Sequence, residues 1–262
     1  MKYNILFDLK DKIAVVTGGA GLIGKEIVRG LAEAGATVVI AEINGDKIKD
    51  IIKEFTELKL NVIFRYLNIT KELSVSNLIK FINKKYGKID IWVNCAYPKT
   101  NDWGLKLENI PLTSWQKNVN MHLNGYFICC QKIAECMKRQ KSGSIINFAS
   151  IYGILGPDFA IYKNTKMTMP AAYSAIKGGI ITFTKYLASY YAKYNIRVNC
   201  LSPGGVYDKQ PAVFVKRYID RTPLKRMANK EDLVGGVIYL ASDASKYVTG
   251  HNLVVDGGWS II

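Results

Sequence analysis

Histidine is scarce in this 262-residue chain, which carries only His122 and His251. Two imidazoles are too few for a histidine-built metal centre, and no metal is expected. The five cysteines, Cys95, Cys129, Cys130, Cys136 and Cys200, contain no Cys-x-x-Cys pair and include two neighbours. That pattern suits neither a disulfide framework nor a zinc site, so they read as reduced and mostly buried small hydrophobes. Long apolar runs are also missing: no uninterrupted stretch approaches the ~18 residues a membrane span needs. The first residues show no charged, apolar and small-residue leader pattern. No membrane partner is expected, and the expected location is the cytoplasm. Internal repeats and low-complexity segments are absent too.

Positive charge is abundant. Lys and Arg number 36 against 21 Asp and Glu, a net +15. Such an excess invites a nucleic-acid reading, because basic patches gain affinity by releasing counterions from phosphate. The surplus is largely lysine scattered along the chain, with no Arg-rich run and no nucleic-acid motif. The expectation is a solvated lysine-rich surface and no nucleic-acid partner, with steering of anionic substrates as the functional alternative.

Short apolar runs alternate with helical patterns along the chain. Strands are expected at residues 12–17, 36–41, 61–67, 89–93, 144–148, 196–201 and 252–255. Helices are expected from the glycine-rich turn through Leu31, then at 46–58, 72–86, 115–138, 172–194 and near 230–241. Strand–helix alternation implies a parallel sheet covered on both faces. The fold expected is α/β: one Rossmann-type domain over residues 1–262, a doubly wound parallel sheet of about seven strands.

The first turn carries a cofactor signal. Thr17-Gly18-Gly19-Ala20-Gly21-Leu22-Ile23-Gly24 follows a strand and opens a helix, the context a phosphate-binding loop requires. Gly18 can make the tight turn, Gly21 can let backbone approach a pyrophosphate, and Gly24 can let helix pack on strand. The helix N-terminus then faces the phosphates. Glu42, at the end of the second strand, can accept both ribose hydroxyls of NAD and would repel a 2′-phosphate. Neither Gly19 nor Ile43 supplies the cation NADP needs, so the cofactor expected is NAD.

A second signal lies in residues 170–192, PAAYSAIKGGIITFTKYLASYYA. Tyr173 and Lys177 are four apart, which puts a phenol and an ammonium on one helix face. A cation beside a tyrosine favours its phenolate and brings an acid–base group toward neutral pH.

Together these pieces resemble the short-chain dehydrogenase/reductase family over nearly the whole length. They follow in order: TGGAGLIG, Asn94 after the fourth strand, and a strand leading to Ser150. Tyr173-x-x-x-Lys177, RVNCLSPG from Arg197 to Gly204, and Val248-Thr249-Gly250 before Val255-Asp256-Gly257-Gly258 complete the series. The resemblance implies that Tyr173 exchanges a proton with the substrate oxygen while hydride moves to or from nicotinamide. It implies that Lys177 lowers the Tyr173 pKa and holds the nicotinamide ribose, and that Ser150 fixes the substrate oxygen. Pro203, Gly204 and Val206 are implied at the carboxamide site, and Asn94 and Ala96 beside the adenosine ribose. Leu22 and Ile23 are implied at the pyrophosphate, and Asn68 and Ile69 at the adenine.

The chain departs from the family pattern at several points. The glycine turn is spaced Gly-x-x-Gly-x-x-Gly, with Leu22 where most members carry glycine. Asn94-Cys95-Ala96-Tyr97 replaces Asn-Asn-Ala-Gly, which brings the Tyr97 ring toward the cofactor or the mouth of the site. Asn68 replaces an aspartate. His122 occupies the position at which the family usually places an asparagine in a proton path to Lys177. An imidazole can hold a water or relay a proton and ordinarily titrates near neutrality; it can equally be a satisfied histidine on a buried helix face.

Between Ser150 and Tyr173 the chain is longer than the family usually is, so residues 151–170 read as an insertion that either loops over the surface or shapes the pocket. Within it Tyr162, Lys163 and Lys166 are candidate contacts to an anionic or polyhydroxylated substrate. A second variable segment, near 205–228, has the composition of a mobile substrate loop and offers Asp208, Lys209 and Gln210. These two segments resemble a narrower group, dehydrogenases of bacterial surface-sugar and flagellin-glycan pathways, including legionaminic acid-type synthesis. That resemblance implies a small-molecule substrate, a sugar or sugar phosphate. A 3-oxoacyl thioester reductase and a non-catalytic dinucleotide sensor remain as alternatives. The helices carrying His122 and Tyr173 are apolar over much of their circumference, and a homodimer or homotetramer is expected.

Overall fold

The structure is a computed structural model that describes residues 4–46 and 48–262. Largely apolar runs rich in Ile and Val make the central strands, β1 (Ile13–Thr17) and β4 (Ile91–Asn94), buried along their whole length. Beside β1 come β2 (Thr37–Glu42) and β3 (Val62–Tyr66); beside β4 come β5 (Gly143–Phe148), β6 (Ile196–Pro203) and β7 (Asn252–Val255). Among the described residues these form one seven-stranded sheet in the order β3-β2-β1-β4-β5-β6-β7, every pairing parallel.

Side chains alternate across a strand, so each strand feeds two cores. Ile13 and Val15 enter a core closed by α3 (Glu72–Tyr86), α5 (Gly125–Gln140) and α6 (Ala171–Tyr191). Ala14 and Val16 enter the opposite core, closed by α1 (Leu22–Glu33), α2 (Ile48–Glu57) and α8 (Val234–Ala241). Each large aliphatic side chain fully buried in this way contributes about 1.5–3 kcal/mol. The strand order reverses direction between β1 and β4, and a crevice opens there at the strands' carboxyl ends, where ligands bind in such sheets.

A third, smaller apolar cluster stands apart from the sheet. It joins Ile151, Tyr152, Ile161 and Tyr162 to Phe214, Tyr218, Met227 and Trp259. Phe214 and Tyr218 belong to α7 (Ala212–Arg221), a helix within a stretch whose sequence reads as irregular. Their spacing of four gives one buried face, and Pro211 starts the helix. The helix read over 115–138 is present and unbroken from Leu112 to Gln140: α4 (Leu112–Val119) passes through a π turn at Asn120–Asn124 into α5, with helical backbone at both junctions. No helix among the described residues is long and apolar enough to cross a membrane.

Candidate active site

The glycine turn closes against β4. Gly18 has φ +67°, and a Cβ there would come within 2.6 Å of the Ala96 Cα. A Cβ on Gly24 would overlap the Gly18 carbonyl, so this glycine sets how closely α1 approaches the turn. Gly21 is the N-cap of α1 and supplies no side-chain acceptor. The first N–H groups of the helix are therefore left to an anion, and this cradle fits the pyrophosphate of a dinucleotide.

A cleft of about 1350 Å³ runs from this turn across the sheet. Gly18, Gly21, Leu22, Ile23 and Gly24 line it, with Ala96 packed against Gly18. Glu42, Asn68 and Ile69 line one end. Glu42 Oε1 accepts the backbone N–H of Ile43 at 2.8 Å and of Asn44 at 3.3 Å, which pins the carboxylate at the tip of β2. Asn68 Oδ1 accepts from the Thr70 N–H at 3.0 Å and hydroxyl at 2.8 Å, leaving its NH2 for a ligand.

Asn94 does not reach this cleft. It is fully buried: its carbonyl accepts from Trp92 Nε1 at 2.8 Å and its NH2 donates to Asn147 Oδ1 at 2.8 Å. The side chain ties β4 to β5, and the ribose contact expected of it is corrected accordingly. Cys95 and Ala96, one and two residues on, present the chain to the cleft, and their N–H groups point to Thr17 Oγ1 at 3.1 and 3.2 Å.

The other end of the cleft holds Ser150, Tyr173 and Lys177, with Pro203, Gly204 and Val206 facing them. Ser150 follows β5 and caps a short 3-10 turn, its Oγ accepting from the Tyr152 N–H at 3.2 Å. Lys177 is buried and donates to the Phe148 carbonyl at 2.7 Å; its Nζ lies 5.6 Å from the centre of the Tyr173 ring. Burial pushes the Lys177 pKa down to about 8. Burial also raises the Tyr173 phenol, and the Ser150 side chain pulls it back in part. In the free protein the expected lowering by Lys177 is outweighed by desolvation, and the pull on the phenol comes from Ser150.

His122 lies behind this wall, fully buried on the π turn and outside the cleft lining. Its Nε2 is 3.4 Å from Lys177 Nζ, while Nδ1 has no partner among the described residues. Burial, and then the Lys177 charge, hold the imidazole well below its ordinary pKa. The expectation that it titrates near neutrality is therefore corrected: it is a neutral acceptor beside Lys177.

Of the substrate candidates, Tyr97, Tyr162, Asp208 and Gln210 line the cleft. Lys163 and Lys209 are exposed and lie outside it. Lys163 offers its carbonyl to Arg217, and Lys209 has φ +58°. Tyr162 packs into the third apolar cluster, its hydroxyl 3.4 Å from that of Tyr152. Tyr97 meets the Tyr173 ring edge-on, centroids 5.8 Å apart, and accepts a hydrogen bond from Trp103 Nε1 at 2.7 Å. Trp103 is itself 6.3 Å from the Tyr173 ring. Trp103, Lys99 and Lys166 also line the cleft, and Tyr218 and Met227 close its far side. The signal for Trp103 lay in the turn-rich segment after Tyr97, which carries no periodicity to read.

The trio on one wall can hold a substrate oxygen, exchange a proton with it and place a cation beneath it. A family model described as "Enoyl-(Acyl carrier protein) reductase" matches residues 18–260. The "Post-translational flagellin modification protein A" of Campylobacter coli is 36% identical over 97% of this chain and 100% of its own length. A "3-oxoacyl-[acyl-carrier-protein] reductase" of Thermotoga maritima is 32% identical over 95% and 98%. Among solved structures, a short chain dehydrogenase of Leptospira borgpetersenii with bound NAD+ is 36% identical, TM-score 0.83, over 97% and 94%. A gluconate 5-dehydrogenase of Burkholderia cenocepacia with NADP and tartrate is 30% identical, TM-score 0.88, over 98% of each chain.

Proposed function

The chain belongs to the short-chain dehydrogenase/reductase family and is an oxidoreductase, and from that premise we propose that it interconverts a secondary alcohol and a ketone of a sugar or sugar phosphate, using NAD(H), in surface-glycan synthesis. The observation that carries the reading is the convergence of Ser150, Tyr173 and Lys177 on one cleft with the glycine turn. A bound nicotinamide would supply or accept the hydride. The Tyr173 phenol gives its proton to the carbonyl oxygen in reduction and takes it back in oxidation. Ser150 Oγ holds that oxygen in line, and Lys177 favours the phenolate once the proton has left and would hold the nicotinamide ribose.

Glu42 favours NAD, since its pinned carboxylate repels a 2′-phosphate and accepts ribose hydroxyls. Leu22, Ile23 and the Gly21 cap would hold the pyrophosphate, with Ile69, Asn68 and Ala96 along the adenosine half and Pro203, Gly204 and Val206 at the carboxamide. The likeness to a flagellin modification protein supports the glycan setting.

The 3-oxoacyl thioester alternative has support in the Thermotoga relative. Against it stands Glu42, whose carboxylate disfavours the NADP that such reductases usually prefer. A cofactor sensor has no need of Ser150, Tyr173 and Lys177 together. Calorimetry with NADH and NADPH, followed by turnover of sugar phosphates read at 340 nm, tests the reading. Tight NADH, weak NADPH and turnover that disappears in Tyr173→Phe are expected. Preference for NADPH with turnover of an acyl thioester overturns it, and cofactor binding with no turnover of any alcohol or ketone favours the sensor.

A further inference from the structure

Two lysines reach the substrate end of the cleft from segments remote in sequence. Lys99 comes from the loop after β4 and Lys166 from the insertion before α6. Both are exposed, and neither has a carboxylate partner among the described residues. The Lys99 ammonium lies 5.7 Å from the centre of the Tyr97 ring, and that ring lies edge-on to Tyr173. Lys99 is therefore held one aromatic ring away from the phenol that handles the proton.

The other charges in the cleft have separate places. Glu42 sits at the opposite end, and Lys177 is buried in the floor, engaged by Phe148. Asp208 is the one carboxylate at the substrate end among the described residues, on the segment after β6. The lining of the substrate end thus includes two ammonium groups and one carboxylate. A neutral polyol leaves both lysines unpaired on binding, whereas an anionic one neutralises them and still offers hydroxyls to Asp208.

We infer that Lys99 and Lys166 form a subsite for a negatively charged group of the substrate, a phosphate or a carboxylate, and that Tyr97 and Trp103 form the wall along which its carbon skeleton lies. This rests on the oxidoreductase reading above and narrows it to anionic sugars. Lysines suit a phosphate or carboxylate as point charges, without the bidentate geometry arginine imposes. The insertion thereby has a part in substrate choice, since it delivers Lys166 to the cleft.

Calorimetry on the full chain with saturating NADH tests the subsite, with D-glucose, D-gluconate, D-glucose 6-phosphate and inorganic phosphate as probes. The anionic probes are expected to bind and D-glucose to bind at least roughly tenfold more weakly, a gap of one decade in affinity. Lys99→Met with Lys166→Met is expected to erase that gap and its dependence on salt. Gluconate alone retaining the preference identifies a carboxylate, and the two phosphates alone identify a phosphate. Equal binding of neutral and anionic probes, no binding of any probe, or a preference that survives the double substitution overturns the subsite. Loss of the oxidoreductase reading shows separately, as absence of any 340 nm change with alcohols or ketones in wild type whatever the probes do.

Discussion

Nε2 of His122 lies 3.4 Å from the ammonium of Lys177, and both groups are buried. An ammonium can only donate, so the imidazole nitrogen facing it must accept, which assigns the His122 proton to Nδ1. That Nδ1 is buried without a partner among the described residues. A protonated imidazole here would set two cations against each other in a dry site, which is why its pKa is held well below the ordinary value.

The first consequence concerns stability against pH. The folded chain keeps His122 neutral, whereas the unfolded chain protonates it near pH 6.5. Below that pH the unfolded state binds one more proton, so stability falls as pH falls, by about 1.4 kcal/mol per pH unit for this group. Urea unfolding between pH 7 and 5 should show a shallower decline in His122→Asn than in wild type. Nitrogen chemical shifts of the wild-type imidazole should remain those of one neutral tautomer down to pH 5.5. A histidine that titrates at 6.5 in the folded chain contradicts both expectations.

A second expectation joins Tyr173 to Lys177. Tyr173→Phe removes the proton donor and should lower turnover by about 10²–10⁴-fold while NADH affinity stays within a few-fold. Lys177 carries its charge below about pH 8 and loses it above, because burial lowers its pKa from the ordinary 10.5. Ketone reduction needs the phenol protonated and the ammonium charged, so kcat/KM should be level below pH 8 and fall above it. A profile flat to pH 10 would show that the Lys177 charge is not part of the chemistry.

The insertion is fastened to α7 by specific polar contacts, which gives a third expectation. Asp158 accepts from Arg221, whose guanidinium lies 4.8 Å over the Trp259 ring, and Trp259 stacks on Tyr218 at 4.1 Å. Arg217 also donates to the Lys163 carbonyl. The ion pair is partly exposed, so Asp158→Asn should cost the whole fold no more than about 1 kcal/mol. Limited proteolysis should nonetheless cut within residues 154–170 faster, and KM should rise more than kcat falls. Unchanged proteolysis and KM would mean that the apolar cluster alone holds the insertion in place.

Much of this was legible in the sequence, and what was not has identifiable causes. The β1 turn and α6 were readable because glycine spacing and a four-residue interval are local properties. Asn94 was misplaced because its partner Asn147 is supplied by β5, 53 residues away, and no local pattern shows that a side chain will turn inward. The neutral state of His122 follows from burial and from Lys177, which a different helix supplies. Helix α7 is not legible locally because the residues that bury Phe214 and Tyr218 come from elsewhere in the chain, from 151–162 and from Met227 and Trp259. Trp103 and Lys99 stand in a loop, where position is decided by the walls around it.

The exposed face of α5 and α6 carries the last expectation. Phe127, Tyr186 and Tyr190 are 46%, 62% and 54% exposed. They continue through Phe183 as a row, with Phe183 and Tyr186 stacked at 6.5 Å and Tyr186 and Tyr190 at 6.0 Å. A contiguous aromatic strip on two adjacent helices is more apolar surface than an isolated protein usually leaves to water, and a second copy of the same face would cover it with two-fold symmetry. Light scattering at micromolar concentration should give a homodimer or homotetramer. Tyr186→Glu places a like charge from each copy in the middle of the contact, so it should shift the chain toward monomer while cofactor affinity is retained. A wild-type monomer, or an oligomer indifferent to that charge, would assign the strip no part in assembly.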